Sequence, residues 1–393
     1  MTGPTTASST LSFQLILPGT LRVPACHTCP YMEAGRCEGA ITRGSAELDI
    51  GPGLIGCHDP ERIRKYYDYL RNVEPISPQT SHHNRISLPY FIPVLESGMP
   101  IELELNPSRL YGVYLRSIID CDGHFKYKTA DSLRKGLRLS PNGRLALFVT
   151  ATDTLIERAW AFSEDRDIWQ RLAGFDFEFV TSATFSVYED EPRSDQIYNQ
   201  DRNFRTYEVF CKLGVPCIPF LFFNQSSDLD YGKVINWLMK RQDIQYVAIL
   251  AHSYKHERAF HRMLIQTRTI ARDAGRSLQF VFVGASTIDK VRLILSEYSN
   301  AILVSTQPVS KARAGERIGL GLKPEKVSPT DADRAKLTIG NIQQFDNEID
   351  AVRAGNPRYG SPYQEMLPFE LLANRNLGHK SHRGQADSTI PIV

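Results

Sequence analysis

The chain has 393 residues, 42% of them hydrophobic and 23% charged, the proportions of a globular protein with enough material to bury a large core. Its formal net charge is only +2, so global charge does not call for a nucleic-acid partner and local patches must make that case. No apolar run approaches ~20 residues, which excludes a helical membrane span. The start, MTGPTTASSTLSFQLILPGTL, lacks the basic segment and long apolar core of a signal peptide, and a cytoplasmic protein is expected.

Taken in order, Met1 to about Gly19 reads as a flexible arm of Thr, Ser, Gly and Pro. Cysteines follow at Cys26-x2-Cys29-x7-Cys37-x19-Cys57. A Cys-x-x-Cys lets two thiolates reach one ion from a tight turn, and two more complete a tetrahedral shell. Four thiolates suit Zn2+ or an iron–sulfur cluster equally well, in a closed and therefore structural site. Pro60 to Val73 has helical spacing, with Asp59 as cap and Pro60 in the first turn. A Pro/Ser/His-rich linker then ends an N-terminal metal-binding subdomain over residues 1–87.

From Leu88 the pattern becomes alternating strand and helix. Strands are expected at Ile101–Leu105, Leu145–Thr150, Phe177–Thr181, Cys217–Phe223, Tyr246–Ala251, Leu278–Val283 and Ala301–Ser305, with an eighth near Tyr90–Leu95. Helices are expected at Tyr111–Ile119, Leu155–Arg171, Tyr207–Leu213, Tyr231–Arg241, Glu257–Ala274, Thr287–Tyr298 and Asp331–Arg353. The strands are near-continuous apolar runs, the mark of a sheet covered on both faces. The fold class read from this order is α/β, a (β/α)8 TIM-like barrel over residues 88–355, with an irregular tail over 356–393. A doubly wound sheet is the alternative, but no GxGxxG follows the first strand.

In such a barrel chemistry gathers where strands give way to loops. Asp153 stands just past one strand and before a helix, where it is either a reactive carboxylate or a helix N-cap. The stretch Phe175 to Asn199 leaves a buried strand through Thr181, Ser182, Thr184 and Ser186 and enters an acidic turn, Glu189-Asp190-Glu191. Glu189 or Asp190 is a candidate second carboxylate, or the turn is simply solvated. His252 follows the apolar run YVAILA, as a catalyst or a hydrogen-bonded core histidine. Rings, amides and cations interleave near these loops at Tyr188, Arg193, Tyr198, Asn199, Arg202, Asn224 and Lys255, a mixture that suits bases and phosphates.

Three segments, YGVYLRSIID, TATDTLIERAW and FSVYEDEPRSDQIYNQDRNFRTYEVFCKLGVPCIPFLFF, resemble a family of uncharacterised phage and bacterial proteins related to the tRNA-guanine transglycosylase-like barrels. The chain is also similar, in size and in its cysteine-bearing start, to bacterial anti-phage DNA glycosylases that remove glucosylated hydroxymethylcytosine. The resemblance implies cleavage of an N-glycosidic bond in DNA with a modified base, with tRNA as second choice and base exchange as the alternative reaction. It implies a carboxylate beside C1′, for which Asp153 with Glu189 or Asp190 is the expected pair, and His252 or Asn224 to orient base or water. One departure stands out: the transglycosylases carry zinc ligands near the C-terminus as CxCxxC, and no cysteine follows Cys217 here. A non-enzymatic nucleic-acid-binding protein is the alternative from a different class.

Overall fold

Eight short apolar runs form one parallel sheet: β1 (Phe91–Leu95), β2 (Tyr111–Tyr114), β3 (Leu145–Phe148), β4 (Phe179–Thr181), β5 (Cys217–Ile218), β6 (Tyr246–Leu250), β7 (Gln279–Val283) and β8 (Ile302–Ser305). The structure, a computed structural model, describes residues 24–37, 42–43, 54–55, 60–71, 86–98, 100, 103–187, 191–222, 228–254, 256–327 and 331–359. The strands pair in the order β5-β4-β3-β2-β1-β8-β7-β6. The sheet curls until Phe220, just past β5, bridges Ala248 of β6 in parallel, with Leu221 N–H donating to the Ala248 carbonyl at 3.0 Å. The result is a nearly closed, all-parallel barrel of the TIM type.

Side-chain alternation explains the continuous apolar runs. Ile92, Val94, Phe148, Phe179, Phe220, Leu250, Val283 and Val304 fill the barrel interior, while their neighbours, such as Val113, Leu147, Val180, Ile249 and Phe282, pack beneath the helices. Both faces are dry, so both parities of each strand are apolar. Gly112 belongs to this packing, since a Cβ there would lie 2.7 Å from the Phe148 ring. Ile86 and Leu88 pack against the interior cluster, and Tyr246 donates to the Ile86 carbonyl at 2.6 Å.

Ahead of the barrel lie α1 (Pro30–Glu33) and α2 (Pro60–Arg71). The barrel helices are α3 (Ala130–Gly136), α4 (Asp153–Ala161), α5 (Ile168–Ala173), α6 (Arg193–Lys212), α7 (Asp228–Lys240), α8 (Glu257–Asp273) and α9 (Ile288–Glu297). After β8 come α10 (Gln307–Arg313), an antiparallel pair β9 (Glu316–Ile318) and β10 (Pro324–Lys326), and the long α11 (Asp331–Arg353). Phe345 of α11 stacks on Phe91 with centroids 4.6 Å apart, so this helix covers the outside of β1. Among the described residues no helix is long and apolar enough to cross a membrane.

The stretch from 101 to 119 corrects the expectation. The expected eighth strand near Tyr90–Leu95 is β1, whereas the described part of 101–105 is irregular. Tyr111–Ile119 is not a helix: it is β2 followed by a 3-10 turn at Leu115–Ser117. Tyr111, Leu115, Ile118 and Ile119 are all buried, and a strand running straight into a turn places them at intervals that mimic a helical stripe. The helix expected over Leu155–Arg171 is two, α4 and α5, separated by a turn that ends at Asp167 with φ of 50°. The helix expected at Tyr207–Leu213 begins much earlier, at Arg193.

Candidate functional site

The site is built from the exit of β4. Its hydroxyls extend the sheet past the point where the ladder stops: Thr181 Oγ1 accepts from the Val149 N–H at 2.8 Å and Ser182 Oγ from the Phe220 N–H at 2.8 Å. The next residues are held from outside by one stripe of α6. Thr206 Oγ1 accepts from the Ala183 N–H at 3.0 Å. Asn203 accepts from the Phe185 N–H at 2.7 Å and donates to the Phe185 carbonyl at 2.9 Å. Asn199 donates to the Ser186 carbonyl at 2.6 Å, and Gln200 to the Phe222 carbonyl beyond β5 at 3.0 Å. Each is a buried or half-buried backbone group that would otherwise cost about 1–3 kcal/mol unpaired.

The brace ends on Asp153. Ser186 Oγ donates to Asp153 Oδ1 at 2.8 Å, so the carboxylate at the carboxyl end of β3 is oriented by a serine whose own carbonyl Asn199 holds. Asp153 is the first residue of α4, and Thr152 occupies the N-cap position without a side-chain cap bond. Asp153 remains exposed toward solvent. Nearby, Thr184 donates to Thr150 at 3.2 Å within the buried rim.

His252 stands past β6, across the mouth from β3. A Cβ on Gly284, past β7, would lie 2.6 Å from His252 Nδ1, and Gly284 has φ of +89°; the imidazole therefore lies directly on glycine backbone. Surrounding protein and the Lys290 cation hold the His252 pKa below its ordinary value, against a hydrogen bond to the Val283 carbonyl that works upward. The ring is thus neutral near pH 7, with one nitrogen committed to a carbonyl and the other able to accept. Lys290 Nζ in turn donates to the Tyr254 carbonyl at 3.0 Å and braces the loop that carries His252.

The cations expected to meet substrate are engaged within the protein. Arg193, 3% exposed, donates to both carboxylate oxygens of the equally buried Asp230, one at 2.8 Å. Arg202, also 3% exposed, forks onto Glu157 of α4 at 2.6 and 2.7 Å and lies 4.4 Å from the Tyr198 ring centroid. Tyr198 stacks on Tyr66 of α2 with centroids 3.9 Å apart. These residues join α6 to α4 and to the N-terminal segment. Asn199 reaches the β4 loop through the Ser186 carbonyl, and the Arg202 guanidinium lies 3.9 Å from the Phe185 ring centroid of the same loop. Tyr188, Glu189, Asp190, Asn224, Lys255 and Cys57 lie outside the described residues.

Cys26, Cys29 and Cys37 belong to one small cluster with Tyr31, Ile63 and Ile197 of α6, and Cys37 hydrogen-bonds Arg193. Among the described residues no three ligand-type side chains are placed to hold an ion. The three thiols lie in one small cluster, Cys29 buried and Cys26 and Cys37 partly buried against it.

Sequence reasoning named Ser186 only as one hydroxyl of the strand exit and passed over Glu157, Asn203, Thr206 and Gly284. The α6 stripe did carry a signal: Gln196, Asn199, Gln200, Asn203 and Thr206 recur at three- and four-residue steps, a helical face written in amides and hydroxyls rather than apolar residues. No protein-family model matches the chain, and no curated protein matches it.

Proposed function

We propose that the chain is a glycosidase that breaks the N-glycosidic bond of a modified base in DNA and leaves an abasic site. The observation that carries this reading is the oriented carboxylate: Asp153 stands past a strand end of the barrel, exposed to solvent, with its Oδ1 fixed by Ser186 at 2.8 Å. As the bond breaks, its electron pair leaves with the base and positive charge grows on the sugar. A fixed carboxylate stabilises that charge without reorganising. Water then adds to C1′, and its proton passes to Asp153 or to the accepting nitrogen of a neutral His252. The base itself must leave the stack and enter the mouth. Cys26, Cys29 and Cys37, with Cys57, are the residues that would hold zinc or an iron–sulfur cluster. Its contribution is structural, tying the N-terminal segment to α6 and so to the brace behind Asp153.

The test is incubation with DNA containing glucosylated hydroxymethylcytosine and with plain DNA, followed by mass spectrometry for free base and alkaline treatment for abasic sites. Asp153→Asn is expected to lower the rate at least about 100-fold with the fold retained. Full activity in Asp153→Asn would remove the carboxylate from the mechanism. Incorporation of a labelled free base in place of hydrolysis would convert the reading to base exchange.

A further inference from the structure

Three charged groups with no part in the reading above meet on the β1–β2–β8 side of the mouth. Glu96 directly follows β1, and its side chain is 13% exposed. It accepts from Arg116, two residues past β2, and from Arg313, the last residue of α10, the latter at 2.6 Å. The two arginine side chains are about half exposed, and among the described residues neither guanidinium donates to any other group. A guanidinium has five N–H donors, so most of the donors of both forks remain open to solvent. Two cations on one anion leave surplus positive charge, and Lys126, whose Nζ donates to the Arg116 carbonyl at 2.6 Å, adds to it.

Stability does not account for this arrangement, since half-exposed ion pairs contribute only about 0–1 kcal/mol. Ligand binding does. The carboxylate sets both forks in advance, which reduces the rotamer freedom lost when a ligand arrives, and paired guanidinium forks match the oxygens of a phosphate. The position fits as well. Arg116 lies 5.8 Å from the Tyr114 ring centroid, Tyr114 sits edge-on to Phe148 at 6.3 Å, and the strand of Phe148 leads to Asp153. Neighbouring strands are only about 4.8 Å apart.

We infer that Arg116 and Arg313, held by Glu96, form a phosphate subsite that grips the nucleic-acid backbone beside the base entering the mouth. This rests on the reading that the mouth takes a nucleic-acid strand. The test measures binding of a labelled single-stranded oligonucleotide to the full chain by anisotropy, from about 50 to about 200 mM salt. In R116Q/R313Q the slope of log affinity against log salt is expected to fall by about 0.7 for each phosphate that the protein no longer neutralises. R268Q, on the outer face of α8 and paired with Glu297, should leave the slope unchanged. Equal slopes for wild type and R116Q/R313Q overturn the subsite while the nucleic-acid reading stands. If wild type binds no oligonucleotide, that reading falls and calorimetric titration with a nucleoside 5′-monophosphate decides the subsite. Nucleotide binding by wild type that disappears in R116Q/R313Q keeps it, and no binding to wild type overturns it.

Discussion

Gly284→Ala probes whether the His252 ring is seated as described. The substitution does two things at once. It places a side chain on left-handed backbone, with φ of +89°, which costs about 1–2 kcal/mol. It also puts a Cβ 2.6 Å from His252 Nδ1 and 2.7 Å from His252 Cβ, an overlap of the kind that costs about 1–3 kcal/mol. The expected loss by urea unfolding is therefore about 2–5 kcal/mol, read as a lower midpoint at unchanged m. The two parts separate in a double-mutant cycle. With His252→Gly as background the overlap disappears, and Gly284→Ala should cost only the backbone part, about 1–2 kcal/mol. A proton NMR titration of Gly284→Ala should show the His252 pKa rising toward its ordinary value as the displaced ring loses its contact with the Gly284 backbone and moves away from the Lys290 cation. Equal costs in both backgrounds, or an unmoved pKa, would refute the contact.

Two further outcomes follow from the same geometry. Asn203→Ala leaves the Phe185 N–H and carbonyl without their amide partner, and one such buried loss costs about 1–3 kcal/mol; hydrogen exchange at the Phe185 amide should speed up about 5- to 150-fold, and unchanged protection would show that the loop does not depend on α6. The lowered His252 pKa also sets a pH dependence. The unfolded chain holds more protons than the folded one between the ordinary value of about 6.5 and the lower folded value. The stability it contributes is present above that window and lost as pH falls through it. Unfolding free energies of wild type and His252→Gln, measured from about pH 7.5 down to about pH 5, should therefore differ in slope, wild type falling more steeply; parallel curves would contradict the shift.

Much of the barrel was legible because burial on both faces writes strands as unbroken apolar runs. Tyr246–Leu250 and Gln279–Val283 lie within one residue of their expected bounds for that reason. The second strand was not legible by the same rule. β2 is only four residues long and runs into a turn of buried Leu115 and Ile118. Apolar spacing over so short a stretch does not distinguish a strand plus turn from a helix. α6 was read only at its apolar end, because its Arg193–Thr206 part buries polar side chains.

What the sequence determined alone is the alternation of strand and helix, the grouping of Cys26, Cys29 and Cys37, and the placement of Asp153 and His252 just past strands. These depend on neighbours within a few residues of each other along the chain. Tertiary structure alone decided which charges face inward and which stay available. Arg193 finds Asp230, and Arg202 finds Glu157, partners 37 and 45 residues away. Arg116, past β2, and Arg313, at the end of α10, meet on Glu96. A charge is neutralised by whatever the fold brings within a few ångströms of it, and closing a barrel sets that distance independently of separation along the chain.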